Sequence, residues 1–342
     1  MSSYTRYKPE WVREDFIDFI GEKFNPTWAW KRVKASVEKV SALSDDFYMI
    51  QLKPNQNFQH QILQSGQNIL VTVVVEGVRQ QRAYSIVEQK NNGDIVIAVR
   101  VQGVVSQALS LLKGGEILEI SQPQGEFQLE PVASNQSVLL IASGSGITAI
   151  YSLLNAALEQ NIAQIDVVYF TRDDAFHVEL EQLAQQNAHV RYHHVNTRRT
   201  KQHLDLVWLE TQVPHFKSAM TYACGAIPMM QRLSEIFQSF NLSHMLKQEY
   251  FQTVVDESVA QQPVVFLRAQ QEFQAQGSLL DSAEDAGLRP SHGCRMGVCN
   301  TCTCTKVSGS TKNMLTGEIN HDANTQIKLC ISQALSPVVI NL

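Results

Sequence analysis

Six cysteines punctuate this chain of 342 residues, and five of them fall within its last 49 positions. Cys294, Cys299 and Cys302 are spaced C-x4-C-x2-C, and Cys330 follows after 27 intervening residues. Two irons need four converging thiolates, and this spacing supplies three from one tight loop and one from a distant segment; it predicts a [2Fe-2S] cluster. Gly293 and Gly297 let the loop wrap closely and turn backbone N–H groups toward sulfur, which favours the reduced, more negative cluster. A structural zinc site usually repeats C-x2-C, and the x4 step does not suit it. Cys304, two residues past Cys302, reads as a buried bystander, with alternate ligation as the other reading. His292 beside Cys294 suggests a Rieske-type ligand, but no second histidine is spaced to match.

Other short motifs also have chemistry to offer. Gly144-Ser145-Gly146-Ile147-Thr148-Ala149 reads G-x-G-x-x-A between a strand and a helix, which places a nucleotide pyrophosphate at a helix N-terminus. The next strand ends in Thr171-Arg172. A hydroxyl and a guanidinium there suit a 2′-phosphate, with Arg198 and Arg199 as added charge, whereas Asp173 and Asp174 argue the other way. The reading is NADPH, with NADH as the alternative. Arg82-Ala83-Tyr84-Ser85 (R-x-Y-S), Gly103-Val104-Val105-Ser106 (G-x-x-S), Cys224-Gly225 and Glu249-Tyr250-Phe251 complete the set.

The elements that must carry these motifs fall into blocks. Residues 1–33 form an N-terminal extension rich in Trp11, Phe16, Phe19, Ile20, Phe24, Trp28 and Trp30; it reads as an amphipathic helix packed on the body, or as a docking face for a partner or membrane surface. Residues 34–132 show short alternating strands (Asn68–Val75, Arg82–Val87, Asp94–Val101, Glu116–Ser121) with turns at Asn91-Asn92-Gly93 and Gly114-Gly115, the pattern of an antiparallel barrel. In residues 133–253, after Ala133-Ser134-Asn135, strands at 137–142, 165–170, 190–195, 219–224 and 245–251 alternate with helices at 147–159 and 178–186, predicting an α/β unit with a parallel sheet. Residues 254–262 read as a linker and 263–342 as a small third unit. Within that unit Ser278 and Asp281 form a capping box opening a helix over 279–286, and Gly287 closes it.

Hydrophobic residues make up 44% of the chain and charged ones 18%, enough apolar material for several cores. A net charge of −5 argues against nucleic-acid binding. No apolar run is long enough to span a bilayer, and the first residues lack a secretory h-region, so a cytoplasmic protein is expected.

With the barrel, the R-x-Y-S strand, the G-x-G turn and the cysteine loop in one order, the chain resembles the ferredoxin–NADP reductase superfamily fused to a C-terminal plant-type ferredoxin domain, over about residues 35–342. The resemblance implies an antiparallel β-barrel flavin domain, an α/β parallel-sheet nucleotide domain and an α+β, β-grasp ferredoxin domain. It implies that Arg82 binds the flavin phosphate, Tyr84 packs on the isoalloxazine and Ser85 hydrogen-bonds near N5, with Ala83 between them. The turn Gly103, Val104, Val105 and Ser106 would hold the pyrophosphate of FAD rather than FMN. Gly144, Ser145, Gly146, Thr148, Thr171, Arg172 and Arg198 would hold the nucleotide. Cys224 and Gly225 would lie at the nicotinamide, Phe251 over the flavin face and Glu249 beside them. Electrons would pass from NADPH through FAD to the cluster and then to an outside acceptor. The cysteine segment and Asn25-Pro26-Thr27-Trp28 look most like bacterial redox partners of membrane acyl-CoA desaturases, which implies a diiron desaturase as partner, reached at the inner membrane. An oxygenase component is the alternative acceptor, and a non-catalytic redox sensor the remaining reading.

Overall fold

The computed structural model describes residues 13–131, 136–160, 162–251, 253 and 255–342. Trp11, the Ala133-Ser134-Asn135 turn and Val254 lie outside the described residues.

After a short helix, α1 (Glu14–Glu22), six antiparallel strands close the expected barrel. They are β1 (Val33–Ala42), β2 (Phe47–Pro54), β3 (Asn68–Val75), β4 (Val78–Gln89), β5 (Ile95–Arg100) and β6 (Ile117–Ile120), in the order β1-β2-β5-β4-β3-β6. Closure of β6 on β1 removes free edges, and alternation turns Ile50, Leu52, Ile69, Val71, Ile86 and Ile97 inward. β4 outruns the expected Arg82–Val87 because a tight hairpin joins it to β3, with Glu76 at φ 52° and Gly77 at φ 79°, the left-handed pair that two-residue hairpins require. α2 (Val104–Ser110) follows β5, where the sequence reading has only a turn.

The second unit is a five-stranded parallel sheet in the order β11-β10-β7-β8-β9. Its elements are β7 (Ser137–Ser143), α3 (Ile147–Glu159), β8 (Gln164–Thr171), α4 (His177–Gln186), β9 (Val190–Asn196), α5 (Thr197–Thr200), α6 (Leu206–Gln212), β10 (Ala219–Cys224), α7 (Ile227–Ser239) and β11 (Leu246–Glu249). β7 is apolar over Val138–Ala142 because both its faces are covered. One of those faces shares its core with the barrel: Phe47, Val87, Val96, Ala98 and Phe127 pack with Val138, Leu140, Ile150 and Leu153. Two polar bonds reinforce the seam, Gly66 N–H donating to Ser152 Oγ at 2.9 Å and Asn155 Nδ2 to the Val87 carbonyl at 3.1 Å.

The third unit holds β12 (Gln262–Phe266), β13 (Gln271–Ala275), α8 (Leu279–Asp285), β14 (Thr303–Ser308), β15 (Thr311–Asn313), β16 (Ile319–Asn320), β17 (Thr325–Lys328), β18 (Ser332–Ala334) and β19 (Val338–Ile340). They form a β13-β12-β19-β14-β17 sheet and a small β16-β15-β18 sheet. Ser278 caps α8 as expected, its Oγ accepting from Asp281 N–H at 3.0 Å, and Gly287 follows the helix at φ 81°. The linker is shorter than the 254–262 expected. Asp256 is already fastened to this unit by Lys312 at 2.8 Å and by two bonds to the Gln333 side chain.

The N-terminal extension does form a helix docked on the barrel, but not by its aromatic side. The buried residue of α1 is Asp18, while Phe16, Phe19, Ile20 and Phe24 face outward.

Candidate active site

Two clefts and one thiol loop collect nearly all the residues singled out in the sequence. The first cleft, about 620 Å³, runs along the outside of β4 to the start of α2. Arg82, Ala83, Tyr84 and Ser85 line it, with Gly103, Val104, Val105 and Ser106 opposite. The Arg82 guanidinium donates to the Gln81 carbonyl at 2.7 Å, and burial together with the nearby Arg295 holds its pKa below the ordinary value. Two cations beside one cleft are a site that an anionic phosphate relieves, and the residues present fit a flavin nucleotide. Burial pushes the Tyr84 phenol up to about 12, so it stays neutral. The Ser106 hydroxyl is engaged within its own turn. Its Oγ accepts from the N–H groups of Gln102 and Gly103 and donates to the Gly103 carbonyl, so the hydroxyl caps α2.

The second cleft, about 880 Å³, opens at the C-terminal ends of the parallel strands, where such sheets bind ligands. Ser143, Gly144, Ser145, Thr171, Arg172, Gly225, Ala226 and Pro228 line it. Gly146 lets the turn pass over β10: a Cβ there would lie 2.1 Å from the Cys224 carbonyl oxygen. Ser143 Oγ accepts from Ala226 N–H at 2.7 Å and locks two loops of this cleft together. Thr148 bonds back to the Ser145 carbonyl at 3.1 Å. Of the charges near the second strand end, Asp173 faces Arg100 at 3.0 Å and Asp174 pairs with Arg199 at 3.8 Å. Arg172 remains for the cleft, joined by Arg232 from α7. Arg198 is exposed on α5 and is not part of the wall.

Cys224 is fully buried at the end of β10, beneath a wall that begins at Gly225. Burial, with the neighbouring Glu249 adding to it, raises its thiol well above the usual range, so it is no thiolate nucleophile. Glu249 lies in register with Cys224 on β11, and desolvation raises its carboxyl to about 8. Phe251, three residues past the Gln248 that holds the Tyr250 hydroxyl, lines both clefts; Tyr250 packs into the core on the other face of the sheet.

Arg100, Gln102 and Ser145 line both clefts too. Arg100 reaches Asp46 in the barrel and Asp173 in the nucleotide unit, each at 3.0 Å. Sequence reasoning missed Arg100, Gln102 and Arg232. The available signal for the first was a cation closing a strand three residues before the G-x-x-S turn.

The four expected cluster cysteines are buried together. Cys302 Sγ lies 3.3 Å from Cys330 Sγ, and the N–H groups of Cys294 and Cys299 each donate to the other's sulfur at 3.3 Å. Bonds from Cys299 and Cys330 lower the Cys294 thiol, and Cys330 lowers that of Cys302. Four converging soft donors with backbone N–H groups aimed at sulfur fit a [2Fe-2S] cluster. Cys304 instead faces the core near Ile327, where burial pushes it to about 12. His292 bonds to Pro290 and Arg295, not to the thiol group. The loop does not stand apart: Cys294, Arg295 and Met296 form part of the first cleft's wall, and Cys294 and Cys299 pack on Leu70 and Ala83 of the barrel.

A fold of barrel, parallel sheet and cluster unit, with two joined clefts ending on a thiol loop, defines an oxidoreductase that passes electrons from NAD(P)H through FAD to a [2Fe-2S] cluster. Three family descriptions match in that order: an oxidoreductase FAD-binding domain over residues 34–129, an oxidoreductase NAD-binding domain over 140–235 and a 2Fe-2S iron-sulfur cluster binding domain over 265–335. Each description matches one unit of the chain, and together they define an FAD-, NAD(P)- and 2Fe-2S-domain reductase with the fold of phthalate dioxygenase reductase. The solved structure of that enzyme superposes with a TM-score of 0.62 at 23% identity, covering 90% of this chain and 97% of the other. Among curated relatives, an NADPH oxidoreductase of Mycobacterium tuberculosis is 29% identical over 93% of this chain and 86% of its own length. The glycine betaine monooxygenase reductase subunit of Chromohalobacter salexigens is 25% identical over 80% of this chain and 86% of its own.

Proposed function

We propose that this reductase takes its electrons from NADPH and delivers them to a membrane diiron acyl-CoA desaturase. The observation that carries the electron path is the shared wall: the loop of Cys294 borders the cleft of Arg82, Tyr84 and Ser85, and Phe251 borders both that cleft and the nucleotide cleft.

When bound, FAD exchanges electrons in pairs with a nicotinamide and singly with an iron–sulfur cluster. The chain's own residues bind and orient. In this reading Arg82 and the Gly103–Ser106 turn hold the flavin's phosphates, Tyr84 packs along its ring, and Ser85 presents a hydroxyl to the reacting edge. Gly144, Ser145, Gly146 and Thr148 hold the dinucleotide's pyrophosphate at the start of α3. Thr171 and Arg172, with Arg232, take the 2′-phosphate. Gly225 and the Cys224–Glu249 pair below it form the floor for the nicotinamide, and a neutral Glu249 keeps that floor uncharged. Phe251 excludes water from the junction. Cys294, Cys299, Cys302 and Cys330 hold the cluster.

The desaturase is favoured by the likeness of the cysteine segment and of Asn25-Pro26-Thr27-Trp28 to desaturase partners. An oxygenase component is the second reading, favoured by relatives named as reductases of monooxygenase and dioxygenase systems. Reconstitution separates them. The purified holoprotein and NADPH, supplied in turn with a vesicle-borne acyl-CoA desaturase and with an oxygenase component, are expected to support turnover of the desaturase. Turnover of the oxygenase alone overturns the desaturase reading, and flavin bleaching no faster with NADPH than with NADH overturns the choice of nucleotide.

A further inference from the structure

Helix α1 is built the reverse of an ordinary surface helix. Its inward side is polar. Asp18, fully buried, accepts from Trp30 N–H at 2.7 Å and from Arg32 Nε at 2.8 Å. Glu22 pairs with Lys34, and Trp28 lies so close over Gly21 that a Cβ there would come within 1.9 Å of the indole. Arg32 extends the chain of charges to Glu119 on β6. The attachment is therefore specific and mainly polar, with Trp28 over Gly21 as its apolar contact.

The outward side is the apolar one. Phe16, Phe19 and Ile20 recur at helical spacing and continue into Phe24 and Trp30, with exposures from 45% at Ile20 to 88% at Phe24. No element among the described residues covers these five side chains, and an apolar ridge of this kind marks an interaction site. Two cations rim the ridge, Lys23 Nζ 4.9 Å over the Phe19 ring and Lys31 Nζ 4.8 Å over the Trp30 ring, with Asp15 the exposed acid beside it. Three of the helix's four acids, Glu14, Asp18 and Glu22, are each paired with a base. The twelve residues before Arg13 continue the composition, with Tyr4, Tyr7 and Trp11 beside Arg6 and Lys8 and one acid, Glu10.

We propose that this ridge docks on the surface layer of an anionic phospholipid bilayer. Phe16, Phe19, Ile20, Phe24 and Trp30 enter the boundary between headgroups and acyl chains, and Lys23 and Lys31 remain among the headgroups. A projecting ridge of aromatic rings with lysines at its rim is the arrangement that partitions into that layer. Lys23 is in no ion pair among the described residues, and Lys31, although held by Glu14 at 3.7 Å, is largely exposed, so both can meet anionic headgroups. No described helix is long and apolar enough to cross a membrane, so the docking is peripheral. The inference stands whichever protein accepts the electrons.

The test uses the full-length holoprotein and sucrose-loaded vesicles of phosphatidylcholine with about one-third phosphatidylglycerol. Most of the protein is expected to sediment with them. Binding is expected to fall several-fold on pure phosphatidylcholine and at least ten-fold in the Phe16→Ser/Phe19→Ser/Phe24→Ser variant, with NADPH-driven ferricyanide reduction unchanged in that variant. Holoprotein that stays in the supernatant at every lipid concentration overturns the proposal, as does a triple variant that sediments like the parent. A parent that forms a lipid-independent dimer lost in the variant identifies a second copy as the occupant and overturns it. So does a parent that sediments only with vesicles carrying the acceptor protein.

Discussion

The carboxyl of Glu249 ends β11 in register with Cys224, and its Oε2 has no hydrogen-bond partner among the described residues. Desolvation is the whole cause of its raised pKa, about 8 in the fold against 4.5 for the free side chain. The sign of the consequence is fixed. Between those two values the unfolded chain has released a proton that the folded chain keeps, so Glu249 costs stability as pH rises from about 4.5 to about 8, and no more above that. The slope is at most about 1.4 kcal/mol per pH unit. Glu249→Gln is expected to remove it. Melting temperatures of the two holoproteins from pH 5 to 9 should diverge steadily in the variant's favour up to about pH 8, and parallel curves would refute the buried neutral carboxyl. At the same scale Arg295 stands out. It holds φ 58° inside the cluster loop, a left-handed conformation uncommon for an arginine, and its guanidinium is held by Asp281, Glu284 and His292.

At the scale of elements, the nucleotide cleft depends on the crossing of the β7–α3 turn over the end of β10. Gly146→Ala places a methyl group against the Cys224 carbonyl. The backbone on one side must give way, and both sides carry loops that wall the second cleft and are joined through Ser143. The variant is expected to raise the KM for NADPH about ten-fold or more, at a stability cost of about 1–3 kcal/mol, and to leave the visible spectrum of flavin and cluster intact. An unchanged KM would show that the close crossing is not needed. This turn was legible in the sequence because glycine spacing, a continuous apolar strand and a helical period all pointed the same way; α3 spans Ile147–Glu159 as its pattern predicts. The cysteine loop and the Ser278 cap were legible for the same reason, since short-range chemistry dictates both. What escaped was decided by contacts between distant segments. Arg100 becomes a cleft residue only because Asp46 and Asp173 approach it from two units. α1 was readable as amphipathic, but its orientation was not, because Asp18 finds Arg32 and the helix finds its groove only in the folded barrel. α2 was hidden because its start coincides with a motif that reads as a turn.

At the scale of the whole molecule, the three units are not equally joined. Barrel and parallel sheet share one continuous core through Phe47, Val87, Val96, Ala98 and Phe127. The cluster unit meets the rest through a small contact of Cys294, Cys299, Met296 and Val298 on Leu70 and Ala83. Calorimetry of the holoprotein is therefore expected to resolve two transitions. One carries the flavin and nucleotide units together, with loss of FAD; the other carries the cluster unit, with bleaching of its absorbance. A single transition, or separate melting of barrel and sheet, would contradict the shared core. The same seam bears on inheritance. A gene break near residue 253 cuts a tether and leaves two bodies with intact interiors, so the cluster unit is free to be gained, lost or moved to the other end of a chain. A break between barrel and sheet would open a core, so those two are bound to travel as one gene segment.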